Sequence, residues 1–416
     1  MLRIITPTRL DWPKLVESQG LLFHSIGGVP YWDESAYYLF ETREVDAIEQ
    51  ATLQLDKMCL EAVDHVVAEG RLDVVGIPEA FHRFVEQSWD RDEHTIYGRF
   101  DLSFDGSGPP KLLEYNADTP TSLLEAGVIQ WFWAENLREA VDDGRFGQFD
   151  QFNSIHERLI EAWERVREEM GPRIAFASLD DTLEDNMTAA YLRDTAIQGG
   201  MQTESIPVEG IGWSVSRRVF TDLRERPIPI LFKLYPWEWM LQEQFGRHLA
   251  EAPTRFLEPP WKMILSSKGI LPILYELFPD SPYLLPAGFE PISSSYVAKP
   301  THSREGANIT IVKDNQIVAE TDGEYAEGPW VYQQYHPLPD MNGHFPVIGS
   351  WIINGHASGM GIREDNGPIT RNTSRFVPHL FRKSSMTKPP VFPTNYVAGR
   401  PASSQNDPLW DRWIDR

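Results

Sequence analysis

The spacing of apolar residues divides the beginning of the chain into helical and extended segments. Apolar residues share one helical sector from residue 42 to 69, and a shorter helical pattern covers residues 79–88. Residues 98–104 and 111–116 instead alternate with period two, and the segment DGSGPP between them has the Gly and Pro of a turn. These patterns predict helices followed by a β-hairpin.

Helical spacing returns in residues 122–141 and 154–169, and a strand, a helix and a second strand follow. RIAFAS has the composition of a buried strand, LEDNMTAAYLRDTAIQGG is a helix with a glycine stop, and MQTESIPV is the next strand. Such a βαβ unit predicts a parallel sheet in a Rossmann-like subdomain. The unit lacks G-x-G-x-x-G, so a dinucleotide site is not indicated.

The second half of the chain turns from mixed to extended patterns. Residues 228–249 and 261–278 each suggest a strand followed by a helix, whereas short β runs dominate beyond Tyr296. Asn354-Gly355 is the strongest hairpin signal because both residues tolerate positive φ. We predict a mixed α/β (α+β) fold. Its parts are a helical region with the hairpin (residues 1–170), the Rossmann-like subdomain (171–260), a β-rich region (261–382) and a Pro- and Ser-rich tail (383–416).

Composition narrows the class of protein and of partner. The 416 residues are 41% hydrophobic and 24% charged, which is typical of a soluble globular chain with two or three subdomains. A net charge of -23 argues against nucleic acid and anionic membranes as partners. It favours a cationic substrate such as a polyamine, although a solvated acidic surface would have the same charge.

Cysteine use and the distribution of apolar residues bear on location. Cys59 is the only cysteine, which excludes an intramolecular disulfide and a Cys-rich zinc site, and its apolar helical surroundings predict a buried structural thiol. Neither a signal peptide nor an apolar run long enough to span a bilayer is apparent. We therefore expect a cytoplasmic protein.

The predicted hairpin carries polar groups on one face. Arg99 and Asp101 alternate with apolar residues on the first strand, as Glu114 and Asn116 do on the second, and a register that opposes Asp101 to Glu114 also opposes Arg99 to Asn116. Two carboxylates and an amide oxygen are ligands that suit Mg²⁺. The alternative is a solvent-facing hairpin with an ordinary Arg–Asp pair.

Three further segments have candidate phosphate or base contacts. A phosphate could be bound by the ammonium groups of Lys268 and Lys299, together with backbone N–H groups of the loop around Gly306. The alternative is that each lysine is a solvated residue at a strand edge. The run WVYQQYH could offer backbone hydrogen bonds to a base along its edge. Arg363 ends a strand beside a turn, where a surface arginine is equally in place.

Taken together, these segments resemble the synthetase domain of the glutathionylspermidine synthase family. The similarity runs in order from about residue 30 to 380, through YWDESAYYLF, GRFDLSFDG, LLEYNADTPTSLLEAG, LEPPWKMILSSKGILPILYELFP, YVAKPTHSREGANI, VYQQYHPLP and GMGIRED. The resemblance implies an ATP-grasp fold with nucleotide between two β-rich subdomains, so that residues 261–382 form the nucleotide-binding region. It also implies an ATP-dependent acid–amine ligase that forms an acyl phosphate and releases ADP and phosphate.

The resemblance assigns roles to individual residues through the motifs that contain them. The implied Mg²⁺ ligands are Asp101, Glu114 and Asn116. The implied catalytic residues, which face the transferred phosphate and the tetrahedral intermediate, are Arg99 and Arg363. The implied ATP contacts are Lys268, Lys299, Glu305, Gly306, Gln333, Gln334 and Tyr335.

The candidate substrates are a small carboxylic acid, such as a peptide, and an amine, such as a polyamine. Thr119, Thr121 and Ser122 could bind the carboxylate, or could equally serve as helix N-caps. Glu184 and Asp185 could hold an ammonium group, or could simply complement the macrodipole in a first helical turn.

The sequence departs from the family pattern at three places. Ser122 stands where the family has a cysteine, and the segment containing Lys233, Leu234 and PWEW matches the family only loosely. Family members that also hydrolyse their product have an N-terminal, cysteine-dependent amidase domain. Since no cysteine precedes Cys59 in this sequence, we expect no amidase activity. Glutathione and spermidine are therefore candidates only. Two other functions remain open, a non-catalytic nucleotide- or peptide-binding protein and a small-molecule kinase. The sequence does not reveal the oligomeric state.

Overall fold

A computed structural model describes residues 1–141, 145–325, 328–383 and 387–398. Within these ranges helices and sheets alternate, and the long helix Thr42–Ala68 confirms the first helical prediction. A π-helical turn, Glu125–Ile129, leads directly into one of the α-helices. The α-helices are Trp12–Ser18, Thr42–Ala68, His82–Asp90, Gln130–Ala140, Ile155–Met170, Leu183–Gln198, Trp237–Met240, Met263–Ser266 and Ile270–Leu277.

A four-stranded parallel sheet forms around the predicted βαβ unit. Arg173–Ser178 pairs in parallel with Gln202–Pro207, and the helix Leu183–Gln198 connects them, so the βαβ prediction is confirmed. In spatial order the strands are Arg255–Leu257, Ile230–Lys233, Arg173–Ser178 and Gln202–Pro207.

A five-stranded antiparallel sheet, called here the hairpin sheet, contains the predicted hairpin. Asp101 opposes Glu114 and Arg99 opposes Asn116, which confirms the register expected from the sequence. The predicted Asn354-Gly355 turn is also confirmed, with φ of 47° and 75° at its two residues. In spatial order the strands are Arg375–Val377, His356–Asp365, Phe345–Ile353, Tyr97–Ser103 and Lys111–Asn116.

A second five-stranded antiparallel sheet carries Lys299 and is called here the lysine sheet. Its strand Tyr296–Pro300 pairs on both sides, with Thr310–Lys313 and with Trp330–Gln334. Lys299 is therefore not an edge residue, and that alternative reading of it is wrong. In spatial order the strands are Ala287–Gly288, Trp330–Gln334, Tyr296–Pro300, Thr310–Lys313 and Gln316–Glu320.

The other sheets are small. A four-stranded sheet near the N-terminus contains, in spatial order, Leu2–Ile5, Ala36–Glu41, His379–Arg382 and Phe149–Asp150. The two-stranded sheets are Gly212–Ser214 with Val219–Thr221, and Ser25–Ile26 with Val29–Pro30. In the tail, Phe392 is buried and its N–H donates to Thr6 Oγ1, so this part packs on the N-terminal sheet, whereas residues 399–416 lie outside the described residues.

The long helix supports the hairpin sheet from its apolar side. Phe100 and Leu102 are fully buried in one cluster with Leu55 and Cys59 of the helix, and Thr52 Oγ1 lies 2.6 Å from Ser350 Oγ of the sheet. The expected burial of the Cys59 thiol is confirmed. Because this face of the sheet is occupied by the core, the polar side chains that alternate with it turn to the opposite side.

One prediction of secondary structure is wrong. Residues 261–278 contain no strand, since the 3₁₀ turn Pro260–Lys262 and the helices Met263–Ser266 and Ile270–Leu277 occupy this range. Both helices are short and most of their residues are buried, and a short apolar run has the same pattern in a buried helix as in a buried strand. Within the described ranges, no helix combines the length and apolar character needed to cross a membrane, and a cytoplasmic location stays a prediction.

Candidate functional site

A cleft of about 300 Å³ opens where the hairpin sheet faces the lysine sheet. It is lined by the predicted site residues other than Ser122 and Glu184. Arg99 and Arg363 come from the hairpin sheet, and Lys299 comes from the lysine sheet. Residues more than 260 positions apart in the chain therefore meet in this cleft. A cavity of this size is at the lower end of those that hold small molecules.

The hairpin presents a compact polar group to the cleft. Asp101 accepts hydrogen bonds from Arg99 Nε at 2.8 Å and from Asn116 Nδ2 at 3.0 Å. Glu114 lies opposite Asp101 on the neighbouring strand. The described residues contain no group of three or more His, Cys, Asp or Glu that could enclose a metal ion. Two carboxylates and one amide nevertheless fit Mg²⁺, which takes few protein ligands when phosphates and water complete its shell.

Both predicted lysines lie close to this polar group. Lys268 Nζ lies 2.9 Å from Glu114 Oε1. Lys299 Nζ donates to the Leu113 carbonyl at 2.9 Å and to Gln333 Oε1 at 2.8 Å. Side chains of both lysines are nearly buried, so neither is the solvated surface residue considered from the sequence.

Mutual charge and burial shift the titration of these groups. Burial opposes ionisation of Glu114, but the ammonium groups of Lys268 and Lys299 outweigh it and hold the pKa of Glu114 below its usual range. Burial lowers the pKa of Lys299 to about 8, with Lys268 adding to this effect and Glu114 opposing it. The site therefore keeps an ionised carboxylate beside a lysine whose charge is sensitive to pH near 8.

The loop after Lys299 contains several residues with positive φ. Glu305 and Gly306 are both left-handed, with φ of 54° and 70°, and Asn308 follows at 55°. A Cβ on Gly306 would lie 2.3 Å from the carbonyl oxygen of Thr370, so the loop can approach the hairpin sheet this closely only with glycine. The N–H groups of Ala307 and Asn308 donate to the carbonyls of Arg304 and Asp322, and a role of this loop in binding phosphate stays a prediction.

Arg363 is fixed by several acceptors at the end of its strand. Its Nη2 donates to the carbonyls of Arg371 and Asn372 at 2.9 Å each, and its Nε donates to that of Ser374 at 3.1 Å. Its Nη1 donates to Ser122 Oγ at 3.2 Å. Because Arg363 lines the cleft in this fixed position, it is not an unconstrained surface arginine.

The three candidate carboxylate-binding residues are used in different ways. Thr119 Oγ1 accepts a hydrogen bond from Arg304 at 2.8 Å, and the Thr121 carbonyl accepts one from Arg99. Ser122 is buried with φ of 66°, and its hydroxyl contacts Arg363 rather than the backbone of the following helix. The N-cap interpretation is therefore wrong for Ser122, and its role in binding substrate stays a prediction.

Glu184 and Asp185 lie in the first turn of the helix Leu183–Gln198. Asp185 lines the cleft, and burial, reinforced by the charges of Glu184 and Glu305, raises its pKa to about 7. Glu184 is not among the lining residues. The acidic end of the cleft thus contains carboxylates whose mutual repulsion a cationic group would relieve.

Backbone groups of WVYQQYH are partly used within the protein, and its contact with a base stays a prediction. Trp330–Gln334 is an inner strand of the lysine sheet. The N–H groups of Gln334 and Tyr335 donate to the carbonyls of Pro286 and Ser295, and Gln333 Nε2 donates to that of Leu112. All three residues line the cleft, but these N–H groups are already bonded within the protein.

The structure adds residues that the sequence did not single out. Arg304 lines the cleft and pairs with Glu238 at 2.7 Å, and its guanidinium lies 5.7 Å from the centroid of the Trp239 ring. Behind them, buried Lys233 donates to Asp118 at 2.5 Å, which ties the loop after Asn116 to the parallel sheet. No spacing signal links such partners, although Arg304 and Asp118 both lie inside segments that carried the family resemblance.

Comparison with known proteins identifies relatives over nearly the whole chain. The sequence profile of the family "Glutathionylspermidine synthase preATP-grasp" matches residues 3–382. The "Putative acid--amine ligase" of Haemophilus influenzae is 39% identical over 391 residues, which cover 90% of this chain and 98% of that protein. The bifunctional glutathionylspermidine synthetase/amidase of Escherichia coli is 28% identical over 379 residues, which cover 83% of this chain but only 59% of that protein.

The fold is also similar to that of a solved structure. A glutathione synthetase-like effector from Globodera pallida superposes with a TM-score of 0.56 at 11% identity, covering 88% of this chain and 97% of that one. This likeness supports the predicted mixed α/β fold. The match of the family profile over residues 3–382 shows that the chain belongs to the glutathionylspermidine synthase preATP-grasp family.

Proposed function

We propose that the protein is an ATP-dependent acid–amine ligase that activates a small carboxylic acid as an acyl phosphate and joins it to an amine. The observation that carries the proposal is the meeting of Lys268 and Lys299 with Asp101 and Glu114 across one cleft. In a chain with a net charge of -23, a cleft this rich in cations is suited to a polyphosphate. The names of two relatives, an acid–amine ligase and a glutathionylspermidine synthetase/amidase, support the same reaction class.

The proposed reaction assigns separate tasks to the two sides of the cleft. Lys268, Lys299 and the loop at Gly306 would bind the phosphates of ATP, and Asp101, Glu114 and Asn116 would hold Mg²⁺. The magnesium ion, when bound, would neutralise phosphate charge. A substrate carboxylate oxygen attacks the γ-phosphorus, the bond to the β-phosphate oxygen breaks, and ADP leaves.

Arg99 and Arg363 would stabilise charge as the acyl phosphate forms and reacts. The amine nitrogen attacks the acyl carbon to form a tetrahedral intermediate, whose oxyanion these two guanidinium groups can stabilise. Collapse of the intermediate breaks the C–O bond, releases phosphate and leaves an amide after the nitrogen loses a proton. Fixed donors suit this task because they need no reorganisation during the reaction, and Arg363 is held by four hydrogen bonds.

The substrate classes follow from the charges at the ends of the cleft. Arg304, which donates to Thr119 and also pairs with Glu238, would bind a carboxylate, such as that of a peptide. Asp185, with Glu305 close by, would bind an ammonium group, such as that of a polyamine. We propose these classes without assigning glutathione or spermidine as the substrates.

ADP release, measured with a panel of amino acids, short peptides and polyamines, tests the proposal. Release that requires both a carboxylate and an amine, with an amide product seen by mass spectrometry, supports the ligase. A phosphorylated product that forms without amine would identify a kinase instead. Nucleotide binding without turnover on any pair would favour the non-catalytic binding protein.

A further inference from the structure

A hydrogen-bonded chain of buried groups runs from Arg363 away from the cleft. Arg363 Nη1 lies 3.2 Å from Ser122 Oγ, which lies 3.2 Å from Tyr31 Oη, which in turn donates to Glu125 Oε1 at 2.6 Å. The Tyr31 ring also lies beneath the guanidinium, 5.1 Å from its carbon to the ring centroid. Tyr31, Ser122 and Glu125 are almost fully buried.

The proton directions in this chain are determined by its two ends. An arginine N–H can only donate, so Ser122 Oγ accepts from Arg363. Tyr31 gives its single hydroxyl proton to Glu125, so the contact between Ser122 and Tyr31 requires that Ser122 donate. Every hydroxyl then accepts one bond and donates one, in the same direction, from a cation to a carboxylate. Hydrogen bonds aligned in this way polarise and strengthen one another.

Packing alone does not explain a carboxylate at position 125. Glu125 is fully buried, and its Oε2 has no hydrogen-bond partner among the residues that the structure describes. Burial, with the charge of Glu184 nearby, raises its pKa to about 7. A buried carboxylate oxygen without a partner destabilises the fold, and an apolar side chain would fill the same space without that penalty.

The backbone at both ends of this short segment is unusual. Ser122 has φ of 66°, which is strained for a residue other than glycine, and Glu125 opens the π-helical turn Glu125–Ile129. Both features bring the Ser122 hydroxyl and the Glu125 carboxylate to the same side, where Tyr31 joins them. Such local strain is most often retained at functional sites.

We propose that Glu125 and Tyr31 are positioning residues that hold Arg363, through Ser122, in the orientation needed to stabilise the transferring phosphate. Neither Tyr31 nor Glu125 lines the cleft, so both act only through Arg363. The proposal rests on the proposed ligase function for its kinetic test, but not for its structural test.

The kinetic test compares Tyr31→Phe, Glu125→Ala and the double variant with wild type, using the best substrate pair from the panel. Tyr31→Phe keeps the ring beneath Arg363 and removes only the hydroxyl. We expect each single change to lower kcat about tenfold, the double variant to lie within about twofold of either single, and the KM for ATP to stay within about twofold. Coupled losses of this kind are expected when residues act as one unit.

Tyr37→Phe is the matched control. Tyr37 is equally buried in the same apolar cluster and its hydroxyl also donates a hydrogen bond, to the Pro390 carbonyl at 2.8 Å, but it does not contact Arg363. We expect its kcat to stay within about twofold of wild type even if its melting temperature falls as far as that of Tyr31→Phe. Equal kcat for the two tyrosine variants, or single losses that multiply in the double variant, would overturn the proposal.

Two further measurements cover failure to fold and failure of the proposed function. If Glu125→Ala does not fold, Glu125→Gln replaces it, since the amide oxygen can still accept a hydrogen bond from Tyr31. The kcat of Glu125→Gln should then lie between those of wild type and Tyr31→Phe. Crystal structures of wild type and Tyr31→Phe provide a test that needs no activity. A displaced Arg363 guanidinium supports the chain of contacts, and an unchanged one refutes it, whether or not amine-dependent ADP release is found.

Discussion

Replacing Glu114 by Gln removes the negative charge that faces both lysines in the cleft. At 2.9 Å between Lys268 Nζ and Glu114 Oε1, the attraction at an effective dielectric constant of about 20 is about 6 kcal/mol before desolvation is subtracted. The Glu114 side chain is 30% exposed, so part of that attraction is screened. We expect the variant to lose about 1 to 3 kcal/mol of unfolding free energy and to remain folded.

The expected effect on turnover is far larger than the effect on stability. If Glu114 and Asp101 hold Mg²⁺ against the phosphates, Glu114→Gln and Asp101→Asn should each lower kcat for ADP release by about a thousandfold or more. Asp105→Asn is the matched control, because Asp105 belongs to the same hairpin but is exposed in its turn, and among the described residues it accepts hydrogen bonds from Ser107 and Gly108. Its kcat should equal that of wild type.

A coupled assay of ADP release at several Mg²⁺ concentrations, with urea unfolding of each variant, separates the two effects. Lost turnover with a shift in unfolding free energy of a few kcal/mol supports the magnesium assignment. Unchanged ADP release in both Glu114→Gln and Asp101→Asn would refute it. A loss of activity that only follows unfolding would also count against a direct role of these carboxylates.

Three other predictions concern single residues. Burial lowers the pKa of Lys299 to about 8, so the lysine loses its charge as pH rises and the Kd for ATP, measured by calorimetry, should increase about tenfold between pH 7 and 9. The Lys299→Met variant should bind ATP weakly and without this pH dependence. Gly306→Ala should raise the KM for ATP about tenfold, because the added Cβ would meet the Thr370 carbonyl. Gly355 has a similar φ but no atom within 4 Å of an added Cβ, so Gly355→Ala should leave the KM for ATP unchanged. Phe100→Ala should lower the free energy of urea unfolding by about 3 to 5 kcal/mol, because the fully buried Phe100 ring stacks on Tyr115 with ring centroids 3.9 Å apart. A nucleotide affinity that falls by a similar free energy would contradict separate roles for the two faces of the hairpin.

Much of the hairpin could be predicted from the sequence alone. Period two places Phe100 and Leu102 on one face and Arg99 and Asp101 on the other, and the opposition of Asp101 to Glu114 requires only an antiparallel register. The βαβ unit and the Asn354-Gly355 turn were predictable for the same reason. In each case the information is local, since side-chain direction and turn conformation depend on neighbours in the chain.

Contacts between distant segments could not be predicted in this way. Only the folded structure brings Lys268 to Glu114 and shows that Lys299 and Gln334 lie on inner strands of the lysine sheet. The strand expected in residues 261–278 is replaced by the helix Met263–Ser266, because a short buried helix lacks the periodicity that would separate it from a strand.

The sequence by itself determined which side chains share a face and which residues carry the family resemblance, because these depend on alternation and on local motifs. Only the tertiary structure decided which faces meet, since segments far apart in the chain are brought together by burial of their apolar sides and not by any local preference. The chain of contacts from Glu125 through Tyr31 to Arg363 illustrates the difference, because its members lie on three separate segments and are joined only in the folded protein.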